Sequence, residues 1–254
     1  MGAASRIEWT NATWNPVTGC SYISEGCENC YARRMAKRLK AMGLCRYQNG
    51  FRVTTHPGLL DAPLYWKKPR LIFVNSMSDL FHEEVPLEFI ERIFATIESA
   101  SWHVFQVLTK RAERLENVAS KLIWPGNLWV GVTVESQRHT DRIKKLSGVP
   151  AAVRFVSFEP LLGPIKQMDL GAIDWAIVGG ESGPYSRKMD PGWARIIRDA
   201  CIDLSIPFFF KQWGGPRKKG NDRVLDEKMW SQYPLMKHRR EAHRPFKNGA
   251  PLAR

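Results

Sequence analysis

Three cysteines carry the most specific chemistry in this chain. Cys20, Cys27 and Cys30 stand as C-x6-C-x2-C, with Gly19 and Gly26 directly before the first two. Thiolates are soft ligands that select zinc, copper(I) or iron–sulfur centres. A C-x2-C pair lets two sulfurs reach one ion or cluster, and the glycines let the backbone fold around it. Structural zinc usually takes four protein ligands. A fourth is not evident, because Cys45 lies fifteen residues beyond Cys30 and the nearest histidine is His56. Cys45 and Cys201 occur singly and read as small buried hydrophobes. Three thiols without a fourth point to a [4Fe–4S] cubane with one open iron, and structural zinc remains the alternative.

A second set of polar groups recurs at the ends of apolar runs. Leu71–Asn75, Val104–Leu108, Leu128–Val134, Val153–Phe158, Trp175–Val178 and Pro207–Lys211 are apolar at nearly every position, as strands buried on both faces are. Their carboxyl ends carry Asn75, Ser76, Ser78 and Asp79, then Lys110, Glu135, Glu159, Gly179-Gly180-Glu181 and Lys211. In parallel α/β folds the C-terminal strand ends converge on the ligand site. Helix-capping would explain any single Ser or Asp, but six such loops favour one shared polar cavity. Carboxylates Asp79, Glu135, Glu159 and Glu181 would also suit a metal-dependent nuclease.

The elements that must position these groups are read from periodicity. Helical spacing covers Cys30–Met42, Leu87–Ser99, Arg111–Ser120, Ser136–Leu146 and Trp193–Leu204, and the prolines at 160 and 164 break any helix before Trp175. With a further strand near Ile7–Trp9, the pattern predicts a full or partial (βα)6–7 barrel of parallel strands. The absence of Gly-x-Gly-x-x-Gly after the first strand disfavours a doubly wound sheet. Residues 43–69 have no clean period and read as an insertion with a short strand near Phe51–Thr54. The expected organisation is a barrel domain over 1–213 and a basic extension over 214–254.

Composition bounds the rest. The 254 residues are 44% hydrophobic and 25% charged, ordinary for a folded domain with a core. No run of eighteen apolar residues and no signal-peptide pattern is present, so no membrane association is expected and the chain reads as cytoplasmic. In a reducing compartment clustered cysteines are metal ligands or catalytic groups rather than disulfides. Net charge is +13, and residues 214–254 hold eleven Lys/Arg against four Asp/Glu. That tail, with Trp213, Trp230, Tyr233 and Phe246 among its cations, is suited to a nucleic acid or nucleotide partner. Closing over the barrel is the other reading.

The cysteine segment resembles that of radical S-adenosylmethionine (radical SAM) enzymes, in which an aromatic residue often sits beside the last cysteine, as Tyr31 does. More closely, the chain is similar to a phage-associated three-cysteine family of radical-SAM-like proteins whose function is largely unassigned. The similarity runs from about Ile7 to Gly214 through WNPVTGC, CENCYA, SMSDLFH, LTKRAERL, WVGVTVES, FEPLLGPI, VGGESGP and FFFKQWG. It departs from the usual C-x3-C-x2-C spacing at the first interval. The resemblance implies a [4Fe–4S] cluster on Cys20, Cys27 and Cys30, S-adenosylmethionine as second cofactor, and generation of a 5′-deoxyadenosyl radical. It also implies a reducing electron donor and leaves room for a partner enzyme. Expected cofactor contacts are Asn75, Ser76, Ser78, Asp79, Glu135, Gly179 and Gly180; expected catalytic groups are Lys110, Glu159, Glu181 and Lys211. A zinc-stabilised nucleic-acid-binding protein and a metal-dependent nuclease are the competing readings.

Overall fold

Strands apolar at every position must be covered on both faces, and the computed structural model, which describes residues 5, 7–216 and 223–235, covers them in two different ways. In chain order the elements are β1 (Ala12–Trp14), β2 (Val17–Thr18), α1 (Tyr31–Ala41), β3 (Thr54–Thr55), β4 (Leu71–Val74), α2 (Leu87–Ser99) and β5 (Val104–Thr109). There follow α3 (Ala112–Ala119), β6 (Leu128–Thr133), α4 (Asp141–Ser147), β7 (Val153–Phe158), β8 (Trp175–Gly179), α5 (Pro191–Asp203), β9 (Phe208–Gln212), β10 (Val224–Leu225) and β11 (Lys228–Met229). Seven strands pair in parallel in the order β1-β4-β5-β6-β7-β8-β9 and curl into a half-barrel. Spatial order equals chain order, so there is no switch point of the doubly wound kind.

The outer face is packed by the helices. Phe89, Ile90, Ile93, Phe94 and Ile97 recur at three- and four-residue spacing along α2 and are all buried against the sheet. Helix α5 begins with Pro191 after Asp190, whose carboxylate accepts from the Gly192 N–H at 2.7 Å and caps the first turn. The inner face alternates in kind along each strand. Near the amino ends Phe73, Trp129, Phe155, Trp175 and Phe209 form an aromatic floor with Trp9. Further along β7 and β9 the same inward row continues as Ser157, Glu159 and Lys211, which line a cavity. Gly131 permits this packing, since a Cβ there would lie 2.5 Å from the Phe155 ring on the neighbouring strand.

Several expectations need correction. Residues 7–9 form a turn rather than a strand; Trp9 serves the floor as a plug and the first strand is Ala12–Trp14, paired with β4. A three-residue strand interrupted by Thr13 has too little apolar pattern to announce itself. Within 136–146 the helix begins only at Asp141, after a 3-10 turn over Gln137–His139. In the insertion the short strand is Thr54–Thr55, antiparallel to β2. Cys45 is exposed rather than buried, whereas Cys201 lies fully inside the core.

Residues 223–235 cover the sheet instead of standing apart from it. Phe210 N–H donates to the Trp230 carbonyl at 3.0 Å, so this segment runs along the open edge of β9. Tyr233 sits 5.2 Å from Trp175 and 5.5 Å from Phe209, centroid to centroid. Trp213, Trp230 and Tyr233 are thus engaged in intramolecular packing rather than displayed for base stacking. Phe246 and the remainder of the basic tail lie outside the described residues. Among the described residues no helix is long and apolar enough to cross a membrane.

Candidate functional site

At the carboxyl ends of the strands a cavity of about 310 Å³ opens, and Cys20, Cys27 and Cys30 all line it. The three thiols are half-buried, and neither remaining cysteine reaches the lining. Asn75, Ser76, Ser78, Asp79, Lys110, Glu159, Gly180, Glu181 and Lys211 share the same wall. Glu135 and Gly179 do not line it. Both stand behind it, packed against groups that do.

Glu135 is fully buried and acts as the anchor of the cysteine loop. Its Oε1 accepts from Ser24 Oγ at 2.6 Å, and its Oε2 from Arg142 Nη1 at 2.8 Å. Gly26 rests directly on it, and an added Cβ would sit 2.5 Å from Oε1. Beside it, Glu25 accepts from Ser136 Oγ at 2.7 Å and pairs with His139 Nε2 at 2.8 Å. Burial alone would raise the Glu25 carboxyl; the bonds from His139 and Ser136 outweigh it and hold the pKa at about 2.

A second clasp closes from the opposite side. Arg187 binds both oxygens of Glu181, through Nε at 2.9 Å and Nη2 at 2.5 Å, while Nη1 reaches Glu28 at 2.9 Å. Asn29 Nδ2 adds a bond to Glu181 Oε2 at 3.0 Å. Burial opposes ionisation of Glu181, but the Arg187 bonds lower its pKa overall. A third arginine, Arg111, donates to Ser21 Oγ at 2.8 Å and to Glu83 at 2.5 Å. It stands beside Cys20, whose thiol burial and then Asp79 push up to about 11 against the opposing pull of that guanidinium.

The remaining wall is divided between groups already engaged and groups left open. Asp79 is engaged: Oδ1 accepts from Thr109 Oγ1 at 2.7 Å and Phe81 N–H at 3.0 Å, and Oδ2 from Lys110 N–H at 3.0 Å. Ser76 and Ser78 hydroxyls donate to Asn15 Oδ1 and the Val17 carbonyl, which leaves their oxygens able to accept. Asn75, at φ 60°, accepts from Val17 N–H at 3.2 Å, yet its buried Nδ2 has no partner among the described residues. At the floor Lys211 Nζ lies 2.7 Å from Glu159 Oε1, and Ser157 Oγ donates to Glu159 Oε2 at 3.0 Å. Gly179 makes room for that pair, since a Cβ would stand 2.7 Å from Glu159 Oε1. Tyr31 turns its hydroxyl onto the Ser76 carbonyl.

These pairings bear on what the wall can hold. Glu135, Glu159 and Glu181 are each matched to a different cation, and Asp79 to a hydroxyl and two N–H groups, so the four carboxylates do not converge. Among the described residues no three His, Cys, Asp or Glu side chains come together as the ligands of one ion. Cys20, Cys27 and Cys30 nevertheless line one and the same cavity. The orphaned Asn75 amide fits a cofactor acceptor such as a carboxylate.

A family model described as "Protein of unknown function (DUF5131)" matches residues 4–234. The chain belongs to that family. No curated protein matches this DUF5131 chain. Among solved structures it is similar to spore photoproduct lyase complexed with dinucleoside spore photoproduct, with a TM-score of 0.50, 10% identity, and coverage of 78% of this chain and 63% of the lyase. A cysteine-to-alanine mutant of the lyase with dinucleoside spore photoproduct aligns with the same TM-score of 0.50 at 12% identity, over 78% of this chain and 62% of that one. The DUF5131 chain therefore spans less than two thirds of the lyase. At such identity the likeness concerns fold, a partial radical-SAM-like barrel. Arg111, Arg142 and Arg187, which fix the cysteine loop in this DUF5131 member, had no signal in sequence beyond following a strand end or a carboxylate at short range.

Proposed function

We propose that this protein is a radical S-adenosylmethionine enzyme that modifies a nucleic acid or nucleotide. The observation that carries the reading is the three-cysteine wall of a cavity at the carboxyl edge of a partial parallel barrel, with no fourth thiol in the lining. Cys20, Cys27 and Cys30 would hold a [4Fe–4S] cluster, which when bound supplies the electron for reductive cleavage of the sulfonium cofactor. The rest is the work of the chain. Asn75 Nδ2, unpartnered in the wall, would hold a cofactor carboxylate, and the Ser76 and Ser78 oxygens would accept from its ammonium. Lys211, held by Glu159, orients polar groups at the cavity floor, with Lys110 at the wall. The aromatic floor beneath excludes water from the reaction space.

The test is electron paramagnetic resonance on anaerobically reconstituted, dithionite-reduced protein, with and without S-adenosylmethionine, beside Cys27→Ala. A reduced [4Fe–4S] signal that shifts with the cofactor and vanishes in the variant is expected. Protein that takes up zinc without acid-labile sulfide refutes the reading in favour of a structural metal.

A further inference from the structure

A second cleft, of about 360 Å³, lies outside the cavity between the starts of α3 and α4. Six cations face it: Lys110, Arg111, Arg114, Arg138, Arg142 and Lys145. Against them stand Glu83, Glu113 and Asp141, so the lining carries a surplus of three positive charges before His139 is counted. Glu135, behind the lining, offsets one of these charges through Arg142 and Lys110, which leaves a surplus of two. Arg111 and Arg142 are matched to Glu83 and Glu135, but Arg114 gives its guanidinium to the His82 and Val85 carbonyls, which leave its charge intact. Arg138 is exposed, and neither it nor Lys145 has a partner among the described residues. Arg111 is nine-tenths buried, and its Nε has no partner either.

The cleft is continuous with the cavity, because Ile23 and Lys110 line both. Two exposed tyrosines stand in loops at the cavity: Tyr22, next to Ile23, is 57% exposed, and Tyr185, on the Asn29 side and away from the cleft, is 76% exposed. Unpaired cations in a cleft that opens into a cavity with exposed aromatic rings are a combination that suits a single strand, the cations tracking phosphates and the rings stacking bases. A duplex offers neither a free base face nor a base able to leave the stack without cost.

We propose that the α3–α4 cleft binds the phosphodiester backbone of single-stranded nucleic acid and leads one nucleoside into the cysteine-lined cavity. This rests on the cavity being the reaction chamber, but strand binding is measurable with or without a cluster, so the two readings fail separately. The measurement is fluorescence anisotropy of a labelled single-stranded oligonucleotide of about ten nucleotides, titrated with the full chain across a salt series. In Arg138→Glu/Lys145→Glu, affinity at low salt falls at least tenfold and the slope of log affinity against log salt shrinks by about 1.4, two cations' worth. Arg138→Ala/Lys145→Ala gives a smaller loss of the same kind and guards against misfolding in the charge-reversed chain. The basic tail is controlled by Lys237→Gln/Arg239→Gln/Arg240→Gln, which leaves a slope contribution from the cleft. Unchanged affinity and slope in both cleft variants, or wild-type protein that binds no oligonucleotide, overturns the proposal. So does displacement of the strand by inorganic phosphate at constant ionic strength, which would assign the cleft to a free phosphate group.

Discussion

Glu135 concentrates more of the site's architecture than any other side chain. It holds Ser24 of the cysteine loop with one oxygen and Arg142 of α4 with the other, without solvent to share the charge. Removing one member of such a buried pair leaves the other charge uncompensated, at a cost of about 3–5 kcal/mol. Glu135→Gln should therefore shift the urea midpoint strongly downward and lower the iron bound per chain. Gly26→Ala tests the cradle more locally. Its methyl would overlap Glu135, which cannot withdraw while held on both sides, so a loss of about 1–3 kcal/mol is expected. Iron uptake should fall with it; a variant that loads iron as the wild type does would show that the loop does not need this contact.

At the scale of elements, three separate segments fix the loop between β2 and α1: the β6–α4 connection, the β8–α5 connection and the start of α3. Arg187 from the second of these spans Glu181, Glu28 and the Glu25 carbonyl. Arg187→Ala should lower the melting transition, because Glu181, buried beneath it, loses the charge that matches it, and make the proposed cluster more easily lost to a chelator. Arg187→Lys should not rescue retention, since an ammonium cannot reproduce the two-pronged grip on Glu181. Such ties are what sequence reading misses. The parallel strands were legible because burial on both faces leaves an unmistakable apolar run, and the strand-end polar groups because they follow those runs directly. The first strand begins five residues later than its pattern suggests, because Trp9 is as apolar as a strand residue while serving the barrel floor. Arg187 stands in an aperiodic loop, where only folding reveals that it faces Glu28. Glu135 and Gly179 stand behind the lining, since spacing fixes the strand end and not which side of the wall a residue occupies.

For the whole molecule, the closing segment and the histidines set the conditions under which the half-barrel survives. Tyr233 packs on Trp175 and Phe209 at the amino end of the sheet. Tyr233→Ala should cost about 3 kcal/mol, the low end for aromatic truncation, read from chemical denaturation; no effect would mean residues 223–235 are dispensable to the barrel. His56, His82 and His103 all have pKa values lowered by burial, with Arg111 adding to the effect at His82. Each is neutral in the folded state and takes up a proton more readily when unfolded. Stability is thus full above the ordinary histidine value of 6.5 and falls as the pH drops below it toward the folded values. The urea midpoint should decline between pH 8 and pH 5.5; a flat profile over that window would mean the histidines are not held neutral.

The anchors of the cysteine loop also impose an order on the making of the protein. Cys20, Cys27 and Cys30 leave the ribosome well before the groups that fix their loop: Glu135 is 111 positions beyond Ser24, and Arg187 is 159 positions beyond Glu28. Until those arrive the thiols sit on an untethered segment, open to oxidation or to capture by stray metal. On the proposed reading, a cluster on these thiols would therefore be assembled only once Glu135 and Arg187 have emerged. A fragment ending before β8 would carry every cysteine of the motif and still lack one of the three segments that hold them in place.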